Sequence, residues 1–152
     1  MKLLALVATA AAVIGCAQGQ IVRPDTPSLY RSSRHVNVVV TRGGRTVYVG
    51  GQGPRDSQGA LVGRGDFALQ VETAFRNLES ALAAGGASLR DLVQLRTYLV
   101  VDQATDLQVY RDARDRRFAG FPERPVATTV TVSGTTVEGM LILFEGVAVV
   151  QE

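Results

Sequence analysis

Pro-Val-Ala-Thr-Thr-Val-Thr-Val, Pro125 to Val132, and Met-Leu-Ile-Leu-Phe-Glu-Gly-Val-Ala-Val-Val, Met140 to Val150, are the two runs on which the reading of this chain turns. Both are rich in β-branched residues and flank a polar segment, Ser133 to Gly139, which predicts a β-hairpin or a pair of adjacent strands. The second run is apolar at successive positions, as expected of a central strand covered on both faces. One carboxylate, Glu145, interrupts it. Side chains alternate along a strand, so Glu145 shares its face with Leu143 and Val147. A carboxylate there is costly unless it is hydrogen-bonded, paired with a cation or held neutral. Glu145 is therefore the leading candidate catalytic residue, the alternative being a structural carboxylate answered by one of the arginines.

Working back from these runs, Leu92 to Val101 reads as a strand. Val93, Leu95, Thr97 and Leu99 fall on one face, and Gln94, Arg96 and Tyr98 on the other. Asp66 to Ala84 is the clearest helix, with Asp66 as its cap and Phe67, Val71, Ala74, Phe75, Leu78 and Leu82 in one apolar stripe. Gly85-Gly86 stops it, and Ser88 to Asp91 has capping-box spacing. Asp102 to Phe118 predicts a second, more polar helix, whose sparse apolar side is Leu107, Tyr110, Ala113 and Phe118. Asn37 to Val40 and Thr46 to Val49 flank the turn signal Arg42-Gly43-Gly44-Arg45, which predicts a hairpin. Gly50-Gly51-Gln52-Gly53-Pro54 follows, with glycines that permit close approach of a ligand but without nucleotide-fingerprint spacing.

The order ββαβαββ predicts an α+β fold, one mixed sheet with two helices on one face. Two helices leave the other face uncovered, and oligomerisation is the natural way to bury it. The domain spans 36–152, preceded by a linker and N-terminal loop at 21–35.

Composition excludes several chemistries. Net charge is +2 over 152 residues, with arginines interleaved among acids, so nothing points to nucleic acid as a partner. Lys2 is the only lysine, and once a leader is removed neither a Schiff-base nor a P-loop lysine remains. Cys16 and His35 are the only residues of their kinds, which argues against an internal disulfide or a Cys- or His-rich metal site within one chain. His35 reads as a loop surface residue.

Residues 1–20 carry one charge at Lys2 and an apolar run from Leu3 to Ile14, the pattern of an export signal peptide. Val13-Ile14-Gly15-Cys16 resembles the bacterial lipobox, making Cys16 the lipidation site and mature N-terminus. Cleavage after Ala17-Gln18-Gly19 is the alternative; both predict an exported protein, periplasmic or held at a membrane as a lipoprotein.

Tyr48-Val49-Gly50-Gly51-Gln52, Gln70, Asn77-Leu78, Ala84-Gly85, Asp91-Leu92-Val93, Tyr98-Leu99, Pro125 and Glu145, in that order, resemble the RidA (YjgF) family from about Tyr30 to Val149. The resemblance implies a chorismate-mutase-like fold and a homotrimer whose sheets form a central barrel with three intersubunit clefts. It also implies hydrolysis of reactive enamines and imines, such as 2-aminoacrylate, to a 2-keto acid and ammonia without a cofactor.

In that resemblance Glu145 positions or activates the attacking water, and Tyr30 and the Gly51 backbone are retained; Thr128, Thr129 and the Gly51 amide are candidates to bind the substrate's polar end. The chain departs from the family at three positions. Deaminating members read Pro-Ala-Arg-Ser where this chain reads Pro125-Val126-Ala127-Thr128, so Ala127 replaces the arginine that holds the substrate carboxylate. Gly50 replaces a serine, and Arg111 replaces an asparagine. Either Arg96 or Arg111 of a neighbouring subunit is a candidate substitute cation. Three functions fit: an imine or enamine hydrolase with altered substrate, a non-catalytic small-ligand-binding trimer, and an exported structural protein acting through protein contacts.

Overall fold

The computed structural model describes residues 19–30 and 32–151. Most of the segment expected to be an export signal, residues 1–18 with Cys16, lies outside them.

The strands are β1 (Gln20–Val22), β2 (Val40–Arg42), β3 (Arg45–Gln52), β4 (Leu92–Val100), β5 (Val126–Val132) and β6 (Ile142–Val150). The helices are α1 (Phe67–Ala84) and α2 (Leu107–Arg117). After β1, the order is the expected ββαβαββ.

Helix α1 forms as its pattern predicts. Asp66 accepts a hydrogen bond from the Leu69 amide at its start, and the Gly85 amide bonds to the Ala81 carbonyl at its end. Gly85 is required for packing as well: a Cβ there would lie 2.5 Å from Val47 Cγ1. All six residues of the apolar stripe are buried against the sheet. The capping box at Ser88 and Asp91 is present and opens a short 3-10 turn, Leu89–Asp91, before β4.

Helix α2 starts five residues later than the sequence suggests. The side chain of Asp102 accepts from the Ala104 amide and its carbonyl accepts from Thr105, forming a local turn that competes with helix. Asp106 caps the helix instead. Tyr110, Ala113 and Phe118 are buried as expected, while Leu107 is exposed. The Tyr110 and Thr97 hydroxyls bond at 2.9 Å and tie the helix to β4.

The sheet has four strands in the order β3-β6-β4-β5. β6 is central and antiparallel to both neighbours, and β5 lies parallel to β4 at the edge. Two expectations about pairing are corrected. Pro125–Val132 and Met140–Val150 do not form adjacent strands, because β4 lies between β5 and β6. The hairpin across Gly43-Gly44 does not form either: both glycines take positive φ in a turn, but β2 pairs with β1 as a separate two-stranded sheet.

Both helices pack on one face of the main sheet, over Leu95, Leu99, Ile142, Phe144 and Ala148. Buried Gln70 ties this layer to two loops. Its amide nitrogen donates to the carbonyls of Gly63 and Gly139, and its oxygen accepts from the Leu141 amide. Asn77 similarly donates to the carbonyls of Gly53 and Arg55.

Outside the core, Arg117 bridges Glu72 and Glu79 between the two helices, and Arg116 also reaches Glu72. The hydrogen bond from Arg117 holds the Glu72 carboxyl below its ordinary value of 4.5; partial burial opposes this, and the charges of Arg117 and Arg116 assist it. A depressed carboxylate stabilises the fold above its unfolded pKa, and that contribution is lost as pH falls through the folded value. Glu72→Gln should therefore melt below wild type at pH 7, with the gap closing at acidic pH below 4.5. Thermal melts at pH 7 and near pH 3 check this; an equal gap at both would contradict it.

Candidate functional site

Among the described residues, the second face of the sheet carries no helix. Register places Thr128 of β5 opposite Arg96 of β4, and Arg96 opposite Glu145 of β6. These three form one row across the open face. Leu143 and Val147 stand on either side of Glu145 along β6, as strand periodicity predicts.

Two irregularities shape this region. Between Val49 and Gln52, β3 advances three residues while β6 advances two, from Gly146 to Phe144. The extra residue makes a bulge at Gly50-Gly51, directly beside Glu145. A second shift, on β4 between Leu92 and Gln94, lies on the other side. Bulges of this kind bend a strand and re-aim its side chains. A Cβ on Gly51 would lie 3.0 Å from the Leu143 side chain, whereas at Gly50 it would meet nothing within 4 Å.

The space left by Gly50 belongs to a cavity of about 350 Å³ lined by Tyr48, Gly50, Gln94, Arg96, Glu145 and Val147, among others. Tyr48 forms an exposed wall. Glu145 is stabilised in two of the ways its position requires. The Tyr98 hydroxyl donates to its Oε2 at 3.1 Å, and the Arg96 guanidinium lies 3.9 Å from the same oxygen. Its side chain retains 38% exposure, so it is open to the cavity.

The other expected site residues are distributed differently. Gly51 lies in the bulge and Thr128 stands in the row with Arg96, but neither lines the cavity. Ala127 pairs with buried Leu95, on the helix-bearing face. Arg111 is exposed on α2. Tyr30 is 82% exposed in the N-terminal loop, where its carbonyl accepts from Asn37. Neither Arg111 nor Tyr30 lines the cavity within this chain. Arg124 is committed elsewhere, donating to the Phe118 carbonyl. Tyr98 as a partner for Glu145 was missed from the sequence, although its place on the same strand face as Arg96 was the available signal.

Fold and site together define an α+β protein layered by helices on one side only, with a carboxylate-bearing cavity on the other. The chain belongs to the family described as Endoribonuclease L-PSP, the YjgF/RidA family, which it matches over residues 28–150. Among solved structures, a conserved Rid family protein of unknown function from Yersinia pestis is 25% identical, with a TM-score of 0.74 over 87% of this chain and 98% of its own. RidA from an Antarctic Psychrobacter is 27% identical, with a TM-score of 0.59 over 72% of this chain and 84% of its own. A YjgF family member from Mycobacterium tuberculosis is 29% identical, with a TM-score of 0.56 over 72% and 83%. No curated protein matches the chain.

Proposed function

We propose that this protein hydrolyses small reactive imines, formed directly or by tautomerisation of enamines, to a carbonyl compound and ammonia. The observation that carries the reading is Glu145, held by Tyr98 and open to a cavity bounded by Gly50 of the β3 bulge.

Imine hydrolysis needs little machinery. Water adds to the imine carbon, a base takes a proton from that water, and the nitrogen leaves as ammonia after protonation. Glu145 serves as base in the first step and returns the proton to the departing nitrogen in the second. Gly50 leaves room for the substrate. The overall change is one water consumed and one ammonia released, with no redox partner.

Non-catalytic ligand binding is the second reading. It is favoured by Ala127, which offers no cation and stands on the helix-bearing face. The endoribonuclease description of the family has less support here, because Arg96 is the only cation lining this cavity among the described residues, whereas phosphate backbones are held through several.

The proposed assembly is a homotrimer that covers the open face, where Tyr48 is 80% exposed. The proposed setting is outside the cytoplasm, following a leader that ends in secretion or in acylation of Cys16. No helix among the described residues is long and apolar enough to cross a membrane.

The test is a coupled assay in which a dehydratase generates 2-aminoacrylate and keto-acid release is followed against the uncatalysed rate. Acceleration supports hydrolysis; binding without acceleration supports the second reading. Tyr98→Phe removes one neutral donor and keeps the ring, so it should lower kcat about fivefold, the effect of roughly 1 kcal/mol, with KM little changed. Steady-state kinetics check this, and an unchanged kcat would remove Tyr98 from the proposed arrangement.

A further inference from the structure

We propose that the β1–β2 ribbon is a membrane-docking face, which lays Val22, Val40 and Arg42 on an anionic lipid surface beside an acylated Cys16. The proposal rests on the reading of the leader as a lipoprotein signal, and it adds which face of the domain the lipid meets.

β1 and β2 pair apart from the main sheet, in the register Gln20↔Arg42, Ile21↔Thr41 and Val22↔Val40. Directly opposed residues of an antiparallel pair share a face, as do residues two apart on one strand. Gln20, Val22, Val40 and Arg42 therefore make one face, and all four are exposed. Val22 is 41% and Val40 39% exposed, so the ribbon offers an apolar pair to its surroundings, with Arg42 at its end. Ile21, on the opposite face, is half-buried.

The segments that build this face carry cations only: between Asp25 and Asp56 the sequence holds no acid, and none precedes Asp25. Arg23 is paired with Glu123, and Arg45 donates to the carbonyls of Gly85 and Gly86. Arg42, exposed opposite Gln20, is the cation placed for a headgroup phosphate. Apolar side chains at the acyl boundary with a guanidinium among the phosphates are the two attractions that hold a segment on an anionic bilayer.

The path of the chain brings the lipid to this face. Gly19 is seated against the turn after β2: a Cβ on it would lie 3.0 Å from the Gly44 amide nitrogen and 3.3 Å from Gln151 Oε1. Cys16 is three residues earlier. Three residues span at most about 11 Å when fully extended. The headgroup layer on each side of a bilayer is roughly 5–7 Å thick. With acyl chains on Cys16 in the hydrocarbon, Gly19 and the adjoining end of the ribbon cannot leave the lipid surface.

The chain has no tryptophan, so a single introduced one reports its own surroundings. The protein, expressed with its own leader and purified in detergent, is reconstituted into phosphatidylcholine vesicles with and without phosphatidylglycerol, and brominated lipid serves as quencher. Val40→Trp should emit to the blue and be quenched on anionic vesicles. Val101→Trp is the control: it is 70% exposed beyond the end of β4 remote from Arg45, and it should be neither shifted nor quenched. Adding Arg42→Glu to Val40→Trp should lower the ratio of docked to free ribbon about fivefold to thirtyfold on anionic vesicles, and little on neutral ones. Equal quenching at positions 40 and 101 would overturn the docking face, as would no effect of Arg42→Glu on anionic vesicles. A Val40→Trp emission equally blue without vesicles would also overturn it, in favour of a second copy covering the ribbon. Mass spectrometry of the same sample reads the leader separately. An acylated Cys16 with unquenched Val40→Trp refutes the docking face alone, whereas a chain starting at Gln20 refutes the lipoprotein reading and the docking with it.

Discussion

Glu145→Gln is expected to lower imine turnover by about a hundredfold to ten-thousandfold, the usual contribution of a positioned acid or base. The substitution keeps the shape of the side chain and its ability to accept from Tyr98, which now donates at 3.1 Å. It removes the capacity to take a proton from water. The sheet should be undisturbed, because the residue is partly exposed and no helix among the described residues covers it. The fall should appear in kcat, with affinity for a carboxylate product retained, since an amide beside Arg96 does not repel it. Stopped-time keto-acid assays with matched protein concentrations check this. A variant as fast as wild type would show that Glu145 is structural.

Gln70→Leu is expected to produce the largest loss of stability, roughly 3–5 kcal/mol, or about 10–20 °C in Tm. Gln70 is fully buried and uses both ends of its amide. Leucine matches its size but leaves the Gly63 and Gly139 carbonyls and the Leu141 amide without this partner. Those three groups lie on two loops and at the start of β6, so their loss loosens the layer that sets the register of the strand carrying Glu145. Differential scanning calorimetry reads the effect directly. A shift below about 3 °C would mean that water or a rearranged loop satisfies these groups.

Residues whose side-chain pattern determines their environment were legible in the sequence. The α1 stripe, its Asp66 cap and the capping box at Ser88 each follow from local spacing. The two faces of β4 follow from alternation, and Glu145 was conspicuous as a carboxylate within an apolar strand. Alternation identifies which residues share a face, but not which strand lies alongside. The short turn after β5 therefore suggested an adjacent β6, whereas β4 occupies that place. The Gly43-Gly44 turn was similarly legible as a turn, but its pairing depended on β1, a segment read as the start of a linker.

The candidate site was less legible for the same reason. Arg96 and Glu145 are 49 positions apart in sequence and meet only through strand register. The Gly50-Gly51 pair was recognised as permissive backbone, but its role as a bulge depends on the opposite strand. Ala127 lies one residue before Thr128, and that one step puts it on the other face of the sheet. Gln70 belonged to the recognised motif, yet two of its three partners, Gly139 and Leu141, lie 69 and 71 positions away.

The central claim is that the open sheet face around Glu145 is where a small carboxylate-bearing molecule binds and reacts. Amide NMR of the isotopically labelled protein, titrated with pyruvate, tests it most directly. The account predicts saturable shifts concentrated at Gly50, Arg96, Gly146 and Val147. Shifts confined to the separate surface pocket of Arg55, Asp56, Ser57 and Asn77, with the Glu145 region unmoved, would contradict it.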